Sequence, residues 1–499
     1  MVKHHFYIKK EIIICFFLSL IFFTHSCSGG TTPNTSNTKA IRISIGTQDQ
    51  VINTATGGSV IRAKKLLEKY LPTTGKYKDT KYNVEWSSYT SGPPITNKMI
   101  AEQIDIGMMG DFPSVINMTT FQKKRNGVKS IYIATLAYSP NGAGNAILVP
   151  KNSPYKTLTD LKGKDISVPF GSAAHGMLLN ALKKIGLDPE KDVNLISQAP
   201  EVGGSSLRSN QIDAHADFVP YGELFAFRGF ARKIFDGAQT GLPTLHGVVV
   251  RSDFAEKYPE VVVAYLKALL EANGTFLKEP EEISAEVEKS ADVNKEVVYM
   301  FLGPSGLQII DPTIRGVHLN TLKNSVVTLK QLGKLDASVN PDDVTKWVDE
   351  SYLRQAMKET GVNYDDVIAS EEKNVISGND ALTKETITNP KMAAQLWVKG
   401  ENKIMKFASI QNMLTMLQRL KSNGKNVNVT FVHDRQNGWK LFADNSFYVK
   451  SGNQISAFLL EEDAKKFAVK SGTQTNNFAE IQKLYAQNVE QRMLFSSHK

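Results

Sequence analysis

The 499 residues predict an α/β fold made of two successive strand–helix series, with a smaller α+β unit behind them. Three observations carry that prediction. From Ala40 onward, short β-branched runs alternate with segments of helical spacing, which argues for a parallel sheet covered on both faces. A second series of the same kind starts near Leu158. Beyond residue 388 the texture changes to several short strands and two closing helices.

In the first series Ala40–Ile45 is the opening strand. Ser59–Tyr70 then carries Val60, Ala63, Leu66, Leu67 and Tyr70 at helical spacing. Strand Tyr82–Trp86, helix Ile95–Gln103, strand Asp105–Met109 and helix Pro113–Gln122 follow. Strands Ser130–Ala137 and Ala146–Val149 flank the turn Ser139-Pro140-Asn141-Gly142-Ala143-Gly144-Asn145. The second series reads as strand Asp165–Pro169, helix Ala173–Ile185, strand Val193–Ser197, a short helix around Ser205–Asn210 and strand Ile212–Phe218. Strand His246–Val250 and the helical stretch Ala255–Leu277 come next. Residues 284–365 are largely helical, and residues 366–388 are polar and aperiodic, as in a linker. In 389–499 the expected strands are Ala394–Lys399, Asn426–Val432, Trp439–Ala443, Ser446–Val449 and Ile455–Leu459. The expected helices there are Ile410–Arg419, Glu461–Ser471 and Asn477–Val489.

The N-terminus reads as an address. Lys3, Lys9 and Lys10 precede an apolar run, Ile12–Phe23, and then Thr24-His25-Ser26-Cys27. A basic start, a short apolar core and a small residue before a cleavage point describe a secretory signal over residues 1–26. The alternative is an uncleaved membrane anchor, but the run is shorter than the roughly 20 residues that span a bilayer. The segment resembles a lipobox, which makes Cys27 the expected lipidation site and residues 27–39 a flexible tether. The chain has two cysteines, Cys15 and Cys27, so a disulfide framework and a Cys-rich metal site are excluded. A formal charge of +9 without a long basic run gives no nucleic-acid footprint.

Walker loops, His-Glu-x-x-His, Gly-x-Ser-x-Gly and EF-hand motifs are absent, and the histidines are dispersed. No catalytic residue, metal or cofactor is therefore expected. What remains is a set of strand ends, where open α/β sheets bind ligands. They are Gly46-Thr47-Gln48-Asp49, Gly110-Asp111-Phe112-Pro113, Asn141–Asn145, Phe170-Gly171-Ser172-Ala173-Ala174-His175 and Asp217-Phe218-Val219-Pro220-Tyr221. Gly171 permits a tight turn and Ser172 caps the next helix, so the amides of Ser172, Ala173 and Ala174 are placed to hold an anion; the alternative is a plain cap without a ligand. Asp111 either caps its own helix or holds an ammonium, and Asp217 poses the same question. Phe112 and Phe218 are either pocket walls or core.

These positions carry a resemblance. Residues 40 to about 365 are similar to the solute-binding proteins of ABC importers, in the sulfonate/taurine/nitrate branch. The matching text is Ile104-Asp105-Ile106-Gly107-Met108-Met109-Gly110-Asp111, Leu158-Thr159-Asp160-Leu161-Lys162-Gly163-Lys164, Gly171-Ser172-Ala173-Ala174-His175-Gly176, Ile212-Asp213-Ala214-His215-Ala216 and Val348-Asp349-Glu350-Ser351-Tyr352-Leu353. The resemblance implies a two-lobed periplasmic-binding-protein (Venus-flytrap) fold. Lobe 1 would be 40–136 plus 246–330, lobe 2 would be 146–240, and 331–365 a helical end. Gln48, Asp111, Asn145, Ser172, Ala173 and Asp217 would be polar contacts between Phe112 and Phe218. The implied ligand is a small anion or zwitterion. The implied partner is an ABC permease in the inner membrane, and the implied location is periplasmic or cell-surface, lipid-anchored.

Residues 389–499 resemble the accessory lipoproteins of nitrous oxide reductase maturation. The match runs through Pro390-Lys391-Met392-Ala393-Ala394-Gln395, Lys406-Phe407-Ala408-Ser409-Ile410, Phe447-Tyr448-Val449 and Ala457-Phe458-Leu459-Leu460-Glu461-Glu462-Asp463-Ala464-Lys465-Lys466-Phe467. That family carries copper(I) on Cys and Met, so copper handling is the rival function. Its Cys-x-x-Cys-Gly-Met segment is absent here. Met392, Met405, Met413 and Met416 remain, spaced as core residues.

Overall fold

A computed structural model of the chain describes residues 40–124, 127–370 and 374–496, with side chains as far as residue 487. The signal, the tether and Cys27 lie outside the described residues. The first sheet uses β1 (Ala40–Thr47), β2 (Lys81–Ser88), β3 (Ile106–Gly110) and β4 (Ser130–Ser139). The second uses β5 (Ala146–Pro150), β6 (Asp165–Val168), β7 (Asn194–Ser197), β8 (Ala214–Asp217) and β9 (Ala231–Asp236). The chain then returns to the first sheet with β10 (Thr244–Arg251) and β11 (Ile309–Ile310).

The first sheet has the order β11-β4-β10-β3-β1-β2 and the second β7-β6-β8-β5-β9. Parallel pairing holds for β2-β1-β3 and for β7-β6-β8. The fully parallel sheet expected from the alternation is corrected: β10 runs antiparallel to both β3 and β4, and β5 antiparallel to β8 and β9. Each reversal occurs where the chain crosses from one sheet to the other and enters from the opposite end. Ile41, Ile43 and Ile45 are buried, as are Val248, Val249 and Val250, and helices cover the sheet faces.

Two segments, 140–145 and 237–243, join the sheets side by side. The Gly237 amide donates to the Asn145 carbonyl at 2.7 Å. Gly142 sits at φ +82°, and a β-carbon placed on it would lie 2.6 Å from the Leu242 carbonyl oxygen. Only glycine lets the strands of this double crossover approach so closely.

Other departures have local causes. The expected helix Ser59–Tyr70 is broken into Ser59–Ala63 and Leu66–Tyr70 by Lys65 in the left-handed region, φ +51°. The helix expected from Pro113 begins at Asp111, because proline is tolerated in a first turn. β9 was not expected from its charged text. Lys233 Nζ donates to Asp236 Oδ2 at 3.0 Å and to the Glu223 carboxylate, which lets the strand bury it.

Beyond residue 388, β12 (Ala394–Val398), β13 (Met405–Phe407), β14 (Val427–His433) and β15 (Lys440–Phe442) form an antiparallel sheet. β16 (Phe447–Ser451), β17 (Gln454–Phe458) and β18 (Thr475–Asn476) form another. This part rests on the helix Lys295–Leu302. Tyr299 Oη donates to Gln395 Oε1 at 2.9 Å, and Lys440 Nζ lies 3.5 Å from the Tyr299 ring centre while donating to the Pro304 carbonyl at 3.1 Å. The stretch expected as a linker is irregular but docked: Ile376 and Asp380 are buried, and Asp380 Oδ2 accepts the Ala408 amide at 2.7 Å.

Candidate functional site

The carboxyl ends of β1, β3, β6 and β8 converge beside the double crossover. A small cavity of about 20 Å³ lies among them. Gln48, Asn53, Ser91, Gly110, Asp111, Thr244 and His246 line it from the first sheet's side. Asn145, Ser172, Ala173, Phe218 and Val219 line it from the second. An adjoining cavity of about 30 Å³ shares Asp111, Asn145, Ala173 and Thr244 and adds Phe112, Met177, Leu242 and Ser325.

The glycine–serine corner has the expected local chemistry. Gly171 adopts φ +80°, and Ser172 Oγ accepts the His175 amide at 3.2 Å. The amides of Ala173 and Ala174 open the helix Ala173–Lys184, where no carbonyl four residues upstream belongs to the helix. Of the three amides expected to hold an anion, Ser172's is taken by the Pro169 carbonyl at 3.2 Å and Ala174 does not line the cavity, so the Ala173 amide and the positive end of the helix dipole are what favour an anion there. His175 folds back under the turn: its Nδ1 accepts the Gly171 amide at 3.2 Å and its ring stacks on Phe170. Burial, then the nearby Lys334, holds the His175 imidazole down near pKa 4, so it is a neutral acceptor at pH 7.

Asp111 faces this corner from the end of β3. Its Oδ2 accepts the Ser325 hydroxyl at 2.7 Å, and its Oδ1 is buried without a partner. Burial pushes the carboxyl up to about 7, against the Ser325 bond and the nearby backbone amides of Phe112 and Asp111, which lower it. A carboxyl raised in the folded state stabilises the fold at low pH and loses that contribution as pH rises from about 4 to about 7. Asp111→Asn, which mimics the neutral form, is therefore expected to raise the urea midpoint of the ligand-free chain at pH 8, with the gain vanishing near pH 4.

Three neighbours of Asp111 were not expected from the sequence. His246 on β10 stands opposite Gly110, and burial lowers its imidazole to about 4. Asn53 Nδ2 donates at 3.2 Å both to His246 Nδ1 and to Gln308 Oε1. Ser325 comes from the helix Gly316–Gln331, more than 200 residues along the chain from Asp111. No local pattern signals any of them, because each depends on tertiary packing.

Of the ten residues expected to touch a ligand, Gln48, Asp111, Asn145, Ser172, Ala173 and Phe218 line the first cavity. Phe112 lines the second. Gln48 Nε2 donates to the Met108 carbonyl at 2.8 Å, which leaves its Oε1 as the end free for a ligand donor. Gly171, Ala174 and Asp217 line neither cavity. Gly171 packs across the interface near Pro93 and Ile116, and Ala174 is buried inside its lobe. Asp217 turns inward: Oδ2 meets His215 Nε2 at 2.8 Å, and Oδ1 accepts the Phe218 amide at 2.9 Å. The signal was present, since residues 215 and 217 share one face of a strand.

The two sides are closed on each other. The Phe112 ring lies directly on Gly176, and Tyr221 Oη stands 3.2 Å from Gln50 Oε1 across the interface. Among the described residues, no group of three or more His, Cys, Asp or Glu is placed to hold a metal ion. Of the methionines weighed as copper ligands, Met392 Sδ faces Arg435 and Gln454, and Met413 is fully buried in the core.

Comparison with known proteins agrees with this geometry. Residues 64–289 match the model of the NMT1-like family. The chain is 27% identical over 289 residues to the taurine-binding periplasmic protein of Escherichia coli K12, covering 56% of this chain and 86% of that one. It is 26% identical over 246 residues to a putative aliphatic sulfonates-binding protein of the same organism, covering 49% and 72%. Among solved structures, the alkanesulfonate-binding protein SsuA of Xanthomonas axonopodis pv. citri, bound to MOPS, aligns with TM-score 0.50 at 21% identity, over 62% of this chain and 98% of that one. The nitrate-binding NrtA of Synechocystis PCC 6803 aligns with TM-score 0.50 at 16% identity, over 66% and 91%. The fold is thus the two-lobed periplasmic-binding-protein fold. Within that class, the chain is similar over about half its length to a taurine-binding periplasmic protein and a putative aliphatic sulfonates-binding protein, in line with the sequence resemblance.

Proposed function

We propose that the chain is the extracytoplasmic solute-binding component of an ABC importer, capturing a small anionic or zwitterionic solute between its lobes and passing it to a membrane permease. No bond is made or broken. The observation that carries this reading is the cavity lined from both sheets, with the helix start at Ser172–Ala173 on one wall and Asp111 on the other. A ligand touching both walls favours the closed form through its differential contacts. The lobes are then 40–136 with 246–330, and 146–240. Gln48, Asn145, Ser172 and Ala173 are the polar contacts and Phe218 a wall. Lipidation of Cys27 would hold the protein at a membrane surface. Neither the relatives nor the surroundings of the methionines favour the copper-handling alternative.

The test is a thermal-shift screen of the chain against taurine, ethanesulfonate, longer alkanesulfonates and nitrate. A binder raises the melting temperature with concentration, by about 2.7 kcal/mol of stabilisation at a hundredfold excess over Kd. No shift with any of these solutes at millimolar concentration overturns the reading.

A further inference from the structure

We infer that the cavity contains a subsite for a protonated amine, built from Asp111 and Asn53 with Ser325 as the positioning residue, so that the preferred solutes are zwitterions rather than plain anions. This rests on the solute-binding reading above and narrows its ligand class.

The argument starts from hydrogen bonds that the protein leaves unmade. The Ala143 carbonyl can only accept, so Gln308 must present Nε2 to it, at 3.1 Å. Gln308 Oε1 is then the end that faces Asn53, and only Asn53 Nδ2 can donate to it. The orientation of the Asn53 amide is therefore fixed by the network, and its Oδ1 is left buried without a partner. Asp111 Oδ1 is the second such atom. Both residues line the same cavity. Two orphaned buried acceptors, one on a carboxyl group, are costly unless a donor arrives with the ligand. An ammonium supplies up to three N–H donors and a positive charge. A sulfonate or nitrate supplies none, and beside Asp111 it would meet repulsion. The helix start at Ser172–Ala173 meanwhile accepts the anionic end. A zwitterion satisfies both walls.

Ser325 makes the subsite work at neutral pH. Its hydroxyl stands 2.7 Å from Asp111 Oδ2 and 3.0 Å from the Thr321 carbonyl, and when its single proton turns to Asp111 it favours the charged carboxylate that an ammonium needs. The titratable groups around Asp111 are Tyr132 on β4, His246 on β10 and, across the cleft, His175 faced by Lys334. Burial keeps Tyr132 neutral and both imidazoles uncharged above pH 5. Of these groups, only Asp111 changes charge between pH 5 and pH 8.

The experiment is calorimetric titration of the full chain with taurine and with ethanesulfonate, which carries the same anion without the amine, from pH 5 to pH 8. Taurine is expected to bind at least roughly tenfold tighter at pH 8. Its affinity should fall toward about tenfold per unit of acidification below pH 7, as Asp111 protonates. Asp111→Asn should bring taurine to the ethanesulfonate level and flatten the profile. Ser325→Ala should move the midpoint to more alkaline pH, and Ser325→Thr should restore it. The subsite is overturned if ethanesulfonate equals taurine at pH 8, or if taurine binding does not weaken between pH 8 and pH 5; ethanesulfonate itself should gain affinity over that range as its repulsion from Asp111 is lost. An unmoved midpoint in Ser325→Ala removes the positioning role while leaving the amine subsite. If neither solute binds the unmodified chain at any pH, the solute-binding reading falls first, and that result is distinct from a loss of amine preference.

Discussion

Gly176→Ala is expected to weaken solute binding by roughly 5- to 150-fold, the equivalent of about 1–3 kcal/mol of overpacking in the closed form. Gly176 lies in the helix Ala173–Lys184 of the second lobe, and the ring of Phe112 from the first lobe rests on it. A β-carbon there would lie 2.1 Å from Phe112 Cε2 and 2.5 Å from Cζ, distances that no pair of carbon atoms tolerates. Phe112 is buried beside Asp111, so the ring cannot leave without disturbing the cavity wall. Separating the lobes would remove this contact, and within a helix alanine is favoured over glycine by roughly 1 kcal/mol. Stability of the ligand-free chain and affinity for solute should therefore move in opposite directions, which separates blocked closure from misfolding. Titration calorimetry gives the affinity, urea unfolding gives the stability, and small-angle scattering reports whether saturating taurine still compacts the variant. Phe112→Leu added to Gly176→Ala should recover part of the binding, because the shorter side chain clears the new methyl. Unchanged affinity in Gly176→Ala would show that the lobes bind solute without this contact.

What the sequence made legible follows the range of the interactions involved. The corner at Gly171 and Ser172 is a local device: a residue with positive φ, a capping hydroxyl and the amide it bonds lie within five positions. Its geometry was readable because its physics is contained in one turn. Asp111 was legible as a strand-end carboxyl, but the partner that positions it was not, because Ser325 approaches through packing of the helices Gly316–Gln331 and Asp111–Gln122. The same holds for Asn53, whose free oxygen follows from a chain of bonds through Gln308 to Ala143. The strand β9 was hidden for a different reason. Lys233 reads as solvent-facing text until Glu223 and Asp236 are seen to neutralise it. The mixed pairing of the first sheet could not be read from alternation, which reports element type and says nothing of the direction in which a returning strand enters.

His215→Ala is expected to lower the stability of the chain by about 3–5 kcal/mol, the cost of leaving a buried charge without its partner. The imidazole bridges two fully buried groups, with Nδ1 at 2.7 Å from Ser167 Oγ and Nε2 at 2.8 Å from Asp217 Oδ2. The ring packs directly on Gly203, where a β-carbon would lie 2.1 Å from His215 Cε1. Burial already raises the Asp217 carboxyl, and His215 is the side chain that offsets it. Without the imidazole, Asp217 must either stay protonated or bury an uncompensated charge, and the penalty grows as pH rises above the ordinary carboxylate range. The variant should thus be least stable at alkaline pH, and Asp217→Asn in the same chain should return much of the loss by removing the charge. The consequence reaches the site through one bond: Asp217 Oδ1 holds the amide of Phe218, whose side chain is a wall of the cavity. Solute affinity should fall together with stability in His215→Ala and recover together with it in the double variant. A His215→Ala chain that unfolds at the same urea concentration as the parent would show that Ser167 and Asp217 find water or each other, and that the buried bridge is dispensable.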